Sequence, residues 1–180
     1  MANTAHAEPV GETRRDFLLH TTVAVGAVGT AMMVWPLIHS MNPAADTLSL
    51  STTEFSTAGI AEGQRIIVSW RGNPIFVAHR TQAEIDEARK VNVSELRDPQ
   101  KDEVRAQKPE FLIVSGSCTH FGCIPLGSKP SDPRGEFGGW FCPCHGSVYD
   151  TSGRIRQGPA PRNLDVPPYK YLSDTTVRIG

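Results

Sequence analysis

The sequence predicts a mainly β domain, an antiparallel sandwich, carried behind one N-terminal transmembrane helix. Residues 17–41 contain no Asp, Glu, Lys or Arg, and a helix needs only about 20 such residues to cross a bilayer. From Leu48 onward, short β-branched runs alternate with turn residues, and the 16 glycines and 14 prolines crowd the second half, as in a loop-rich β domain rather than a helical bundle. The 180 residues allow one compact domain and an appendage. A formal net charge of -1 without any Lys/Arg block argues against a nucleic-acid partner.

Residues 1–16 are expected to form a cytoplasmic N-terminus and residues 17–41 the anchor. A cleaved secretory signal is the alternative, but signal cores run to only about 7–15 apolar residues, and this stretch is longer. Arg14 and Arg15 precede the span and no Lys or Arg follows it before Arg65, so the positive-inside rule leaves the N-terminus in the cytoplasm and the domain on the opposite side. The run Thr13-Arg14-Arg15-Asp16-Phe17-Leu18-Leu19 resembles a twin-arginine export signal, a route for folded, cofactor-loaded proteins across bacterial membranes. An Arg pair also serves simply as a topology anchor. Asn42 to Thr47 is small and polar, and is expected to be a flexible linker ahead of a domain at 48–180.

Within the domain, Arg65–Trp70 and Ile75–Ala78 are predicted as strands around the turn Arg71-Gly72-Asn73-Pro74. Thr81-Gln82-Ala83-Glu84 has the form of a capping box, which starts a short helix expected to end near Lys90. Residues 92–108 are highly charged with few apolar positions, and are expected to be a solvated loop without chemistry. Strands are expected at Phe111–Val114, around Trp140-Phe141, at Ser147–Tyr149, at Arg154–Arg156 after the turn Asp150-Thr151-Ser152-Gly153, and at Thr175–Ile179.

The four cysteines fall in two loops, Cys118-Thr119-His120-Phe121-Gly122-Cys123 and Cys142-Pro143-Cys144-His145-Gly146-Ser147. Each offers Cys and His within a few residues, so one loop can present both to one metal centre. Thiolates suit iron-sulfur clusters and zinc, and imidazole suits iron and zinc, so residue types alone leave both open. His6, His20, His39 and His79 lie outside both loops and are not expected to ligate.

The paired patterns C-T-H-x-G-C and C-P-C-H-G-S match at every fixed position those of the Rieske family, which the chain resembles. The resemblance implies a β-sandwich with an inserted cluster-binding subdomain at about 116–166. It implies a single 2Fe-2S cluster with one iron on Cys118 and Cys142 and the other on His120 and His145, where two neutral imidazoles in place of thiolates raise the potential. It assigns Cys123 and Cys144 to a disulfide joining the loops, in keeping with a compartment outside the cytoplasm. Ser147 and Tyr149 occupy family positions whose hydroxyls donate to a bridging sulfide and a ligand sulfur. Gly158-Pro159-Ala160-Pro161 resembles the family's proline loop, a stiff lid over the cluster. Phe121 departs from the family, where leucine is common.

The four-cysteine, membrane-anchored form further resembles the bacterial cytochrome bc complexes, the ubiquinol-cytochrome c reductases. The implied role is an electron-transferring subunit, not catalytic alone, that takes an electron and a proton from ubiquinol through His145 and passes the electron to cytochrome c1. Cytochrome b and cytochrome c1 in a dimeric complex are the implied partners. The implied place is the inner membrane, with the domain on the periplasmic side. Two rival readings are the Rieske subunit of another periplasmic oxidoreductase such as arsenite oxidase, and a zinc module that only stabilises the fold.

Overall fold

In a computed structural model of the chain, residues 13–43 and 51–180 are described. The chain divides into two units, Met1–Ala45 and Asp46–Gly180. Residues 44–47 of the expected linker, and the start of the alternating pattern at Leu48, lie outside the described residues.

Among the described residues, the first unit holds one helix, α1 (Arg14–His39), of 26 residues. At 1.5 Å per residue it is about 39 Å long, and with an 18-residue stretch of mean hydropathy 1.7 it is long and apolar enough to cross a membrane. It starts three residues before the expected Phe17 because Thr13 and Asp16 form a capping box: the Thr13 hydroxyl accepts from the Asp16 amide and the Asp16 carboxylate accepts from the Thr13 amide. Thr21, Thr22 and Thr30 donate their hydroxyl protons to the carbonyls of Phe17, Leu18 and Gly26, each at 2.8 Å. Those polar groups are therefore satisfied inside the helix, as a lipid environment requires.

Among the described residues, the second unit contains three antiparallel three-stranded sheets, built from β1 (Thr53–Ser56), β2 (Arg65–Trp70), β3 (Asn73–His79), β4 (Phe111–Ser115), β5 (Gly138–Cys142), β6 (Ser147–Asp150), β7 (Ile155–Gln157), β8 (Tyr169–Tyr171) and β9 (Thr176–Ile179). The sheet orders are β1-β9-β8, β2-β3-β4 and β5-β6-β7. The β2-β3-β4 sheet lies between the other two, and its period-2 alternation supplies both cores. Ile75, Val77, Phe111 and Ile113 pack with Val177 and Ile179 on one face. Phe76, Ala78, Leu112 and Val114 pack with Trp140, Tyr149 and Ile155 on the other. A strand buried on both faces reads as a continuous apolar run, which is why Phe111-Leu112-Ile113-Val114 has no polar position.

The expected turn at Arg71–Pro74 is tighter than its four residues suggest. Trp70 pairs with Asn73 and Ser69 with Pro74, so only Arg71 (φ 51°) and Gly72 (φ 75°) form the loop. Two left-handed residues in a row match the twist of the flanking strands. The capping box at Thr81 and Glu84 is present, and α2 (Gln82–Lys90) ends where expected, burying Ile85 and Ala88.

The expectation of a solvated loop at 92–108 fails. The segment folds into two 3-10 turns, Val93–Glu95 and Asp102–Val104, and buries Leu96, Asp102, Arg105 and Ala106. Its charges find partners inside the protein. The Asp102 carboxylate receives Arg80 Nη1 at 2.5 Å and Ser152 Oγ at 2.7 Å, while Arg105 donates to the carbonyls of Ser152 at 2.7 Å and Leu164 at 2.6 Å. The predicted turn at Asp150–Gly153 forms, but it is buried against this segment rather than exposed: Asp150 accepts from the amides of Ser152 and Arg154 and from Arg154 Nε, all at 2.9 Å.

Candidate metal centre

The two cysteine loops leave different sheets. The first follows β4, and the second is the connection between β5 and β6, where Cys142 pairs with Ser147. Each closes on its own glycine. The Gly122 amide donates to the Cys118 carbonyl at 2.8 Å and the Gly146 amide to the Cys142 carbonyl at 3.0 Å. Both glycines are left-handed, with φ of 78° and 75°, which explains why each motif carries Gly four residues after its first Cys.

Cys118 and Cys142 are free and buried. Cys123 and Cys144 are joined by a disulfide across a sequence separation of 21 residues. The sulfurs of Cys123, Cys142 and Cys144 lie within 4.8 Å of one another, but two of these three are oxidised and cannot act as thiolate ligands, so the disulfide separates the cysteines into two roles. The Nδ1 atoms of His120 and His145 stand 3.2 Å apart, with the rings at 89°, so both imidazoles present the same nitrogen to one point. His145 is exposed and His120 half-buried. Phe121, 76% exposed, packs its ring 4.0 Å from that of His120 and 5.8 Å from that of His145.

The surroundings separate the two free thiols. Burial acts to raise Cys118, but hydrogen bonds from Tyr149, the His120 amide, Cys142 and Ser147 outweigh it and bring the thiol below its ordinary range. Burial dominates at Cys142 and pushes it up. The Tyr149 hydroxyl lies 3.2 Å from Cys118 Sγ and accepts the Thr119 amide at 3.3 Å. Burial and the neighbouring sulfur push its pKa far above the usual tyrosine value, so it remains a proton donor.

The predicted lid rests on the second loop. A Cβ on Gly158 would lie 2.5 Å from Ser147 Cα, Ala160 is fully buried, and the Ala160 amide donates to Ser147 Oγ at 3.2 Å. Pro159 and Pro161 face outward. Thr119 Oγ1 ties the lid to the first loop by donating to the Arg162 carbonyl at 2.6 Å. Sequence reasoning assigned Thr119 no such role, and it missed Arg97, whose Nη1 donates to the lid carbonyls of Gly158 at 2.6 Å and Ala160 at 2.7 Å. No residue pattern marks Arg97, since it lies in the charge-rich stretch read as a loop. Of the other histidines, His6 lies outside the described residues. His20 and His39 belong to α1, and His79 bonds the Ile60 carbonyl at 2.7 Å and stacks on Phe111.

The Rieske 2Fe-2S domain family matches residues 60–170, and the family described as "Ubiquitinol-cytochrome C reductase Fe-S subunit TAT signal" matches residues 4–44. Among curated relatives, the ubiquinol-cytochrome c reductase iron-sulfur subunit of Rhodospirillum rubrum is 61% identical, with 100% of both chains covered. That of Rickettsia prowazekii is 52% identical, also over 100% of both. A chain of a solved structure titled "Hyperthermophilic respiratory Complex III" is similar at 28% identity and a TM-score of 0.52, covering 87% of this chain and 96% of that one. These relatives give the arsenite oxidase alternative no support. The family implies a 2Fe-2S cluster, and the donor set here fits one: two free buried thiols, one of them with its pKa drawn down by hydrogen bonds, and two imidazoles facing one point. Since one family covers most of the domain and the relatives span the whole chain, the protein belongs to the Rieske family, as an iron-sulfur subunit of ubiquinol-cytochrome c reductase of the bacterial type.

Proposed function

We propose that Cys118 and Cys142 hold one iron of the cluster and His120 and His145 the other, and that the chain carries single electrons from ubiquinol to cytochrome c1. When bound, such a cluster accepts and releases one electron at a potential raised by its two neutral imidazole ligands. One observation carries the assignment: the two free cysteines are buried while His145 stands exposed. The protein thus keeps the thiolates dry and offers a ligand imidazole to an incoming molecule. His145 is the residue that contacts ubiquinol and receives its proton. Exposed Phe121 and Ile124 supply apolar surface beside it. The disulfide and the lid hold the two loops together while this edge engages its partners.

Cytochrome b and cytochrome c1, in a dimeric complex, are the partners of this reading, and the subunit is not catalytic alone. The helix α1 anchors the chain in the bacterial inner membrane with the domain on the periplasmic side. Arg14 and Arg15 at the helix start support this orientation, as does a disulfide of the kind that persists outside the cytoplasm. The test is low-temperature electron paramagnetic resonance of dithionite-reduced native membranes, with and without a quinone-site inhibitor. A rhombic 2Fe-2S signal that shifts with the inhibitor is expected. A signal indifferent to the inhibitor would place the chain in another oxidoreductase, and fully metallated protein containing zinc without a signal would leave only the stabilising role.

Tyr149→Phe is expected to lower the midpoint potential, because the hydroxyl beside Cys118 Sγ stabilises the more negative reduced state. A hydrogen bond worth about 1–1.5 kcal/mol corresponds to roughly 40–65 mV for a one-electron couple. The raised pKa of Tyr149 means its neutral form persists as pH rises, so the difference from the unaltered protein should be equal at about pH 6 and pH 9. Redox titrations at both values check this, and a difference that vanishes at the higher pH would remove Tyr149 as the donor.

A further inference from the structure

The lid is held from two sides, and the outer side belongs to the segment at 97–105. Pro159 and Pro161 have no amide hydrogen, and the Ala160 amide is used by Ser147. The carbonyls of Gly158 and Ala160 both turn outward to Arg97, whose Nη1 has a hydrogen for each. At the far end of the lid, the Asp98 carboxylate accepts the Asn163 amide at 2.9 Å and Arg105 holds the Leu164 carbonyl. The inner contact is one of orientation. Ser147 is buried, and its hydroxyl has one hydrogen to donate. By accepting the Ala160 amide, the oxygen keeps that hydrogen free for the cysteine side of the site, where Ser147 pairs with Cys142 across β5 and β6.

We propose that Arg97 is a positioning residue for electron transfer: by clamping the Gly158 and Ala160 carbonyls it keeps the Ala160 amide on Ser147 Oγ, and so keeps the Ser147 hydroxyl aimed at the cluster. This rests on the reading of Ser147 as a donor to that cluster. Without the clamp, the two carbonyls turn to water, the Ala160 amide drifts from Ser147, and the hydroxyl loses its fixed direction.

The test uses the full complex in native membranes, with Arg97→Gln, Arg97→Lys, Ser147→Ala and the double variant Arg97→Gln/Ser147→Ala. Two readouts are taken: the midpoint potential by redox-poised paramagnetic resonance, and amide hydrogen exchange of residues 158–164. Arg97→Gln is expected to lower the potential by more than half the shift caused by Ser147→Ala and to speed lid exchange several-fold. In the Ser147→Ala background it should add no further shift, because both act through one hydroxyl. Arg97→Lys is expected to restore both readouts in part. The proposal is overturned if Arg97→Gln leaves the potential unmoved while Ser147→Ala shifts it, or if the two shifts add in full. It is also overturned if Arg97→Lys restores the potential while lid exchange stays fast, since charge alone would then act. If Ser147→Ala itself moves nothing, the donor reading falls and the proposal with it.

Discussion

Alanine at any one of Cys118, His120, Cys142 or His145 is expected to abolish the reduced 2Fe-2S signal and quinol oxidation in membranes, whereas the double variant Cys123→Ala/Cys144→Ala should keep a signal on a less stable domain. The contrast follows from the structure. The first four residues are the two free thiols and the two facing imidazoles, and under the proposed ligation each substitution would remove one of the four ligands of the cluster. The other two sulfurs are bonded to each other. Closing a loop across 21 residues restricts the unfolded chain by roughly 3 kcal/mol in the entropy model. For a domain of this size that corresponds to a fall in Tm of roughly 10–15 °C. Quantified resonance and thermal melts on the same membranes separate the two groups. Complete loss of signal in the cysteine pair variant, together with survival in any of the four others, would reverse the assignment.

Asp102→Ala is expected to be the most destabilising single substitution away from the cysteine loops. The Asp102 and Arg80 side chains are each 1% exposed. The carboxylate holds both terminal nitrogens of Arg80 and the Ser152 hydroxyl. Removing it leaves a guanidinium inside the protein with, among the described residues, the Pro109 carbonyl as its remaining hydrogen-bond partner, and an uncompensated buried charge costs about 3–5 kcal/mol against a total stability of roughly 5–15 kcal/mol. Burial acts to raise the Asp102 pKa, but the bonds from Arg80 and Ser152 outweigh it and hold the carboxyl below its usual value. A carboxyl depressed in the folded state contributes its stability above the unfolded pKa of about 3.9 and loses it as pH falls below that. The variant should therefore melt well below the unaltered protein at neutral pH, with the gap closing in strong acid. Melts within a degree or two of each other at neutral pH would show that Arg80 finds another partner.

The same pair shows why part of the fold escaped sequence reasoning. Residues 92–108 have the composition of a solvated loop, and composition does not reveal whether a charge meets water or another charge. Arg80 and Asp102 are 22 residues apart, and Arg105 and Leu164 are 59 apart, so their pairing exists only once the chain has folded back on itself. The strand Tyr169–Tyr171 was missed for a related reason: it is three residues long, too short to show a period, and is defined by its partner β9.

What the sequence determined alone was everything carried by neighbours along the chain. The charge-free stretch predicted the helix, Thr81 and Glu84 marked the start of its shorter counterpart, and the two cysteine loops already contained their own closing glycines and both Cys and His. Residue types and spacing alone left the pairing of the four cysteines open; the family resemblance implied the Cys123–Cys144 disulfide that the structure forms, and tertiary structure decided the facing of His120 and His145 from separate loops and the clamp of Arg97 on the lid. Backbone hydrogen bonding and hydrophobic periodicity act over a few residues and leave a pattern that can be read. Contacts between remote side chains depend on how three sheets stack, and no local pattern encodes them.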